Sequence, residues 1–134
     1  MNKRVVAAID EGAAAEPVLV AAIELSTLLK ADLAVVHVSE AADPVSLFEL
    51  AARFSVRLQV PTGDPIAALV DVIDDEDVIM GVLGSRNQPR TDTQPSDHAP
   101  VGHAALAISE RVNKPIVVIP PTFHPRTPLS FKKI

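Results

Sequence analysis

The ionisable and nucleophilic side chains of this sequence do not gather into a familiar catalytic set. His37, His98, His103 and His124 lack the H-x3-5-H spacing with which two imidazoles reach one metal ion. The run Asp74-Asp75-Glu76-Asp77 has charge enough to attract a hard cation, but not the ligand pattern of a calcium loop, and reads as a solvated turn ahead of a strand. Ser85 follows a glycine, yet no G-x-S-x-G elbow presents it as a nucleophile. With no cysteine, a thiol nucleophile, a disulfide frame and an iron–sulfur cluster are all excluded. Neither a catalytic residue nor a metal site is expected. What remains is a set of residues that directly follow apolar runs: Asp10, then Val38-Ser39-Glu40, Gly63-Asp64 and Gly84-Ser85-Arg86. These are positions for ligand contact, because in open α/β sheets ligands sit beyond the carboxyl ends of the strands.

Five short β-branched runs would set those residues in place: Val5 to Ile9, Leu33 to Val38, Val56 to Val60, Val78 to Leu83 and Ile116 to Ile119. Each has the length of a buried strand, and four are nearly all apolar, as strands covered on both faces must be. Val56-Arg57-Leu58-Gln59-Val60 alternates instead, which suits an edge. Helical patterns fill the gaps. Pro17 fits a first turn, and Val18, Ala21, Ala22, Leu25, Leu28 and Leu29 make an apolar face ending near Lys30. Asp43-Pro44 and Asp64-Pro65 each read as an N-cap followed by proline. A fourth helix opens at Gly102 with Ala105, Ile108 and Val112 on one face. Strands and helices alternate throughout, and right-handed crossovers fold such a chain into an open, doubly wound parallel sheet with helices on both faces.

Composition narrows the partners. The chain has 134 residues, enough for one domain, with 48% apolar and 22% charged residues. A net charge of -5, without a basic cluster, argues against nucleic acid. There are four phenylalanines and no Trp or Tyr, which leaves no aromatic platform for stacking bases. No apolar stretch approaches the ~20 residues of a membrane helix. The apolar run Val5 to Ile9 is too short for a signal peptide, so a cytoplasmic protein is expected. Two segments stand apart from the alternation. Residues 86–100 carry three prolines and form a long loop. Residues 122–134 form a proline-rich tail after a domain of residues 1–121, packed over the domain itself or over a neighbouring subunit. An unknown protein partner is the other use for such a tail.

The stretches VVAAIDEG, VVHV, GDPIAALVDVI, VIMGVLGSRN and GHAALAISERVNKPIVVI, taken in order over roughly residues 4 to 120, resemble the universal stress protein family. The resemblance implies a five-stranded sheet of order 3-2-1-4-5, a stress-response or regulatory role, and a homodimer through the last strand, Ile116, Val117, Val118 and Ile119. Some members bind ATP or a related adenine nucleotide. In those, Asp10 would match the aspartate near the adenosine, and Val38 the residue lining the adenine pocket. Read without the resemblance, Asp10 is a loop or cap residue preparing the helix at Pro17, and Val38 is the last core residue of its strand.

Nucleotide-binding members resemble G-x2-G-x9-G-[S/T] between the fourth strand and the last helix. Glycines there let backbone N–H groups approach phosphate beside a helix N-terminus. Gly84 matches the first glycine and Gly102 the last, although both also suit plain turn geometry. Asn87 stands at the second glycine, His103 at the hydroxyl position, and 14 residues, 88 to 101, replace nine. Asp92 and Asp97 add negative charge to the same loop. Arg86 and Arg90 either pair with phosphate or are solvated loop charges. The expectation is a degenerate nucleotide site that binds ATP weakly or not at all and carries no resident cofactor. The alternative is an ATP- or AMP-binding regulator, with magnesium and slow hydrolysis, in which residues 86–101 form a lid. A small nucleotide-handling transferase would be a third use of the sheet, but no acid–base pair supports it. Phe123 and Phe131 are expected near the partner chain.

Overall fold

The computed structural model describes residues 2–10, 14–38, 45–85, 103–120 and 123, with only the backbone of His103 and Ala104. In chain order the elements are β1 (Arg4–Ala8), α1 (Ala15–Leu29), β2 (Asp32–Val36), α2 (Val45–Arg53), β3 (Leu58–Gln59), α3 (Pro65–Ile73), β4 (Val78–Gly84), α4 (His103–Ser109) and β5 (Ile116–Ile119). The strands form one parallel sheet of order β3-β2-β1-β4-β5. This is the open α/β architecture expected from the alternation of elements.

Both faces of the sheet are covered. Residues alternate sides along a strand, so Val5, Ala7 and Ile9 face a cluster with Val18, Leu19 and Ala22 of α1 and Leu47 and Ala51 of α2. Val6 faces the other way, toward Leu69 and Ile73 of α3 and Ala105 and Ile108 of α4. Handedness explains the division. The connections through α1 and α2 step from β1 outward to β3, whereas those through α3 and α4 step to the opposite edge, so right-handed crossovers place the pairs on opposite faces. Val5, Val6 and Ala7 at the centre are wholly inaccessible to solvent. Among the described residues no helix is long and apolar enough to cross a membrane.

Local chemistry sets the element ends. Asp64 caps α3, its Oδ2 accepting from the Ala67 N–H at 2.9 Å, with Pro65 in the first helical position, as read from the sequence. Asp43-Pro44 and Gly102 lie outside the described residues. Helix α1 begins two residues before Pro17 and ends at Lys30 in the left-handed region, where Ala31 N–H donates to Ser26 O and Lys30 N–H to Thr27 O. Helix α2 closes in the same way, with Ser55 at φ 59°, Val56 N–H donating to Ala51 O and Ser55 N–H to Ala52 O. That closure shortens the third strand. Residues 54–56 are held by the helix terminus, so the strand expected from Val56 to Val60 pairs only through Leu58 and Gln59.

Two features fix β4. Arg4 pairs with Val78 but Val5 pairs with Met80, so Ile79 is an extra residue, and Ile79 and Met80 both pack into the α1/α2 cluster. Gly81 faces the other side, where a Cβ would meet the Cδ1 atoms of Ile116 and Ile73 at 3.0 Å each. The α3–β4 turn is then pinned by Lys114. Its Nζ donates to Ile73 O (3.2 Å), Asp75 O (2.6 Å) and Val78 O (2.7 Å), three carbonyls for three N–H groups. Hydrogen bonds from a charged donor are worth about 1.5–3 kcal/mol. Lys114→Met is therefore expected to lower unfolding stability by about 2 kcal/mol in urea titration. Gly81→Val is expected to cost a similar ~1–3 kcal/mol by overpacking against the two isoleucines; an unchanged urea midpoint for either variant would contradict the corresponding contact.

Candidate functional site

The carboxyl ends of the three central strands meet at one edge of the sheet. Ile9 N–H donates to Val36 O at 3.0 Å, continuing the β1–β2 ladder past Ala8↔Val36. Carried forward, that register sets Ile9 beside His37 and Asp10 beside Val38. On the other side, Ala7↔Val82 carried two places further sets Ile9 beside Gly84. Ser85 N–H donates to Ile119 O at 3.0 Å, which ties the exit of β4 to the end of β5. From here β1 leads to α1 on one face and β4 to α4 on the other. The strand order reverses between β1 and β4, the point at which open α/β sheets carry their ligand crevice.

The structure thus brings Asp10, Val38 and Gly84 together. The Asp10 side chain is 42% exposed. It is not the cap of α1: that position belongs to Ala14, which makes no side-chain capping bond, so the cap reading of Asp10 is set aside. Val38 is half-buried against the α3/α4 cluster, and its role as a core residue at the strand end is real whatever else it touches. Gly84 is buried at the end of β4. His103 is the first residue of α4. Arg86, Asn87 and Gly102, with Arg90, Asp92 and Asp97, lie outside the described residues. Of the other strand-end residues, Gly63 takes φ 117°, which favours glycine, and Asp64 is occupied as a cap, so this pair builds a turn.

One residue at this edge was not among those selected from the sequence. His37 Nδ1 lies 2.9 Å from Ile9 O and 3.5 Å from Asp10 Oδ1, and the side chain is only 14% exposed. A carbonyl oxygen can only accept, so Nδ1 carries the hydrogen and the neutral ring is the Nδ1–H tautomer. The available signal was the ionisable residue interrupting VVHV, one place before Val38. A search for metal-ligand spacing passes over it, because its partner is a carboxylate on the adjacent strand.

Outside the crevice, the acidic turn behaves as a turn. Asp75 Oδ1 accepts from Asp77 N–H at 3.0 Å, and its backbone carbonyl is taken by Lys114. No group of three or more potential metal ligands occurs among the described residues. At the far edge, Ile116, Val117 and Val118 of β5 are half-buried, while Ile119 is buried in the chain's own core. Phe123 packs against the α1/α2 cluster of its own chain, and its N–H donates to Pro120 O at 3.0 Å. Phe131 lies outside the described residues, as does the rest of the tail.

No protein-family model matches the chain, and no curated protein matches it by sequence. Solved structures do. A universal stress protein in complex with cAMP superimposes with a TM-score of 0.69 at 15% identity, covering 90% of this chain and 98% of that one. UspA from Lactobacillus plantarum gives 0.65 at 15% identity, covering 87% and 97%. A universal stress protein from Archaeoglobus fulgidus in complex with dAMP gives 0.59 at 20% identity, covering 89% and 98%. The chain has the universal stress protein fold. At these identities the likeness speaks for architecture alone. The order β3-β2-β1-β4-β5 sets the ends of β1 and β4, after which Asp10 stands and at which Gly84 stands, on either side of the reversal.

Proposed function

We propose that this chain is a universal stress protein, a small homodimeric stress-response or regulatory protein of the cytoplasm, not a dedicated enzyme, whose crevice binds ATP weakly or not at all. The observation that carries the reading is the convergence of Asp10, Val38 and Gly84 at the switch point of a 3-2-1-4-5 sheet, joined to a glycine segment whose spacing departs from that of ATP binders. A triphosphate needs several backbone amides and a helix N-terminus focused on one place. Here Gly102 follows Gly84 by 18 positions, three prolines between them lack amide donors, and Asn87 and His103 replace a glycine and a hydroxyl.

A second reading is favoured by the two neighbours solved with cAMP and dAMP. A nucleotide with one phosphate asks less of the glycine segment than ATP does, so an AMP-type ligand fits a crevice whose strand ends are intact. The dimer is supported by β5. Among the described residues it pairs with β4 alone, and an apolar edge strand invites a second chain. Pro120, directly after it, ends the ladder.

Two measurements test this. Titration calorimetry with magnesium–ATP is expected to give a Kd weaker than ~10 μM, that is, binding weaker than about -6.8 kcal/mol; tighter binding would replace the degenerate site with the lid reading, the more so if Arg86→Ala abolished it. Sedimentation at micromolar concentration is expected to show a dimer, and a monomer would remove β5 as an interface.

A further inference from the structure

We propose that a second copy of this chain is held by two leucines as well as by β5: Leu106 of α4 on one face of the sheet and Leu28 of α1 on the other, which extend the edge strand into an apolar strip around the edge. The proposal rests on the β5 dimer reading and adds the surface that β5 lacks. Strand β5 has four residues, and Pro120, directly after it, has no N–H to donate. A stable interface takes about 20–30 residues from each partner, so a ribbon this short cannot hold two chains by itself.

Helix geometry sets both leucines on the β5 side. Successive residues of an α-helix turn by about 100°. In α1 the buried Val18, Leu19 and Ala22 mark the direction of the sheet. Glu16 lies about 120° round from them, on the flank where it binds Arg53 of α2 at 3.3 Å, and Leu28 lies about as far round the other way. Helix α1 reaches over β4 and β5, so that second flank faces the edge, and Leu28 is 76% exposed there. In α4 the buried Ala105 and Ile108 point to the sheet, and Leu106, 52% exposed, is about 130° round from them. A right-handed helix running antiparallel to the strands, in a right-handed crossover from β4 to β5, turns Leu106 outward past β5 and Ala107 toward α3. The strand joins the two leucines. Ile116 and Val118 point to the α4 face and Val117 to the α1 face, all three half-buried. Charge is kept to the margin: Glu24 of α1 and Glu110, just past α4, lie nearly opposite the sheet on their helices, as rim residues do.

The occupant is a second copy because such an edge is complementary to itself. Antiparallel pairing of β5 with β5 about a twofold axis normal to the sheet brings both copies of α4 to one face and both copies of α1 to the other. Leu106, the middle residue of α4, then stands near the axis and meets its own counterpart. Sedimentation of the full chain reads the contribution of each leucine. Leu106→Asp and Leu28→Asp are each expected to weaken the dimer about tenfold, since the axis makes every substitution count twice. Phe48→Asp, at an exposed apolar position of α2 on the opposite side of the molecule, is expected to leave the dimer unchanged. All three positions are on the surface, and a urea midpoint close to wild type is expected to show that each variant folds. The chain has no cysteine, so Leu106→Cys carries one thiol per copy and is expected to be linked across the axis by a short bis-maleimide. A wild-type dimer that neither leucine variant weakens, or that Leu106→Cys does not link, would overturn the proposal and leave the β5 reading standing. A dimer broken by Phe48→Asp alone would overturn both, and a wild-type monomer would remove the β5 dimer and the strip with it.

Discussion

Everything in this molecule is arranged around the complete burial of β1. Val5, Val6 and Ala7 have no contact with solvent, so their backbone groups must be paired on both edges and their side chains covered on both faces. Strand β2 meets one edge and β4 the other, and α1 and α3 close the two faces. Once β1 is central and the crossovers are right-handed, the strand order must reverse beside it. The crevice at Asp10 follows from that reversal. It is a by-product of hiding one hydrophobic strand, available to whatever ligand the loops can hold.

The parts of the fold that hydrophobic patterning governs could be read from the chain. The runs VVAA, VIMGVL and IVVI are too apolar to be anything but doubly covered strands, and Asp64-Pro65 announces its helix by a local mechanism, a carboxylate taking one backbone N–H. The parts set by competition were harder to see. Val56 to Val60 alternates as a strand should, but the left-handed closure at Ser55 claims the first residues, and tertiary geometry overrides the pattern. The bulge at Ile79 has no signature in an unbroken apolar run.

The crevice divides along the same line. Asp10 and Gly84 could be found because position after a strand is itself the signal, whereas His37 owes its role to a neighbour 27 positions earlier in the chain, across a strand pair. Spacing rules detect residues that share a helix or a loop. They do not detect a histidine and an aspartate whose proximity is created by parallel pairing. The strand ends Asp10, His37, Val38 and Gly84 are placed by the core, and any change there is a change to the sheet.

The reach of Lys114 bears on how the chain is made. Its ammonium closes on carbonyls 36 to 41 residues upstream, and β4 must cross the whole sheet to pair with β1. When residues 1–64 have emerged from the ribosome, they hold β1, β2 and β3 with one flank of β1 unpaired and one face of the sheet bare. Neither can be sealed until residue 84 has left the exit tunnel, and the turn after α3 is not fastened until some 30 residues later. Contacts of such long sequence separation form slowly. The nascent protein therefore passes through an interval in which the strand that the finished fold buries most completely still has an open flank, and chaperone demand should fall within that window of synthesis.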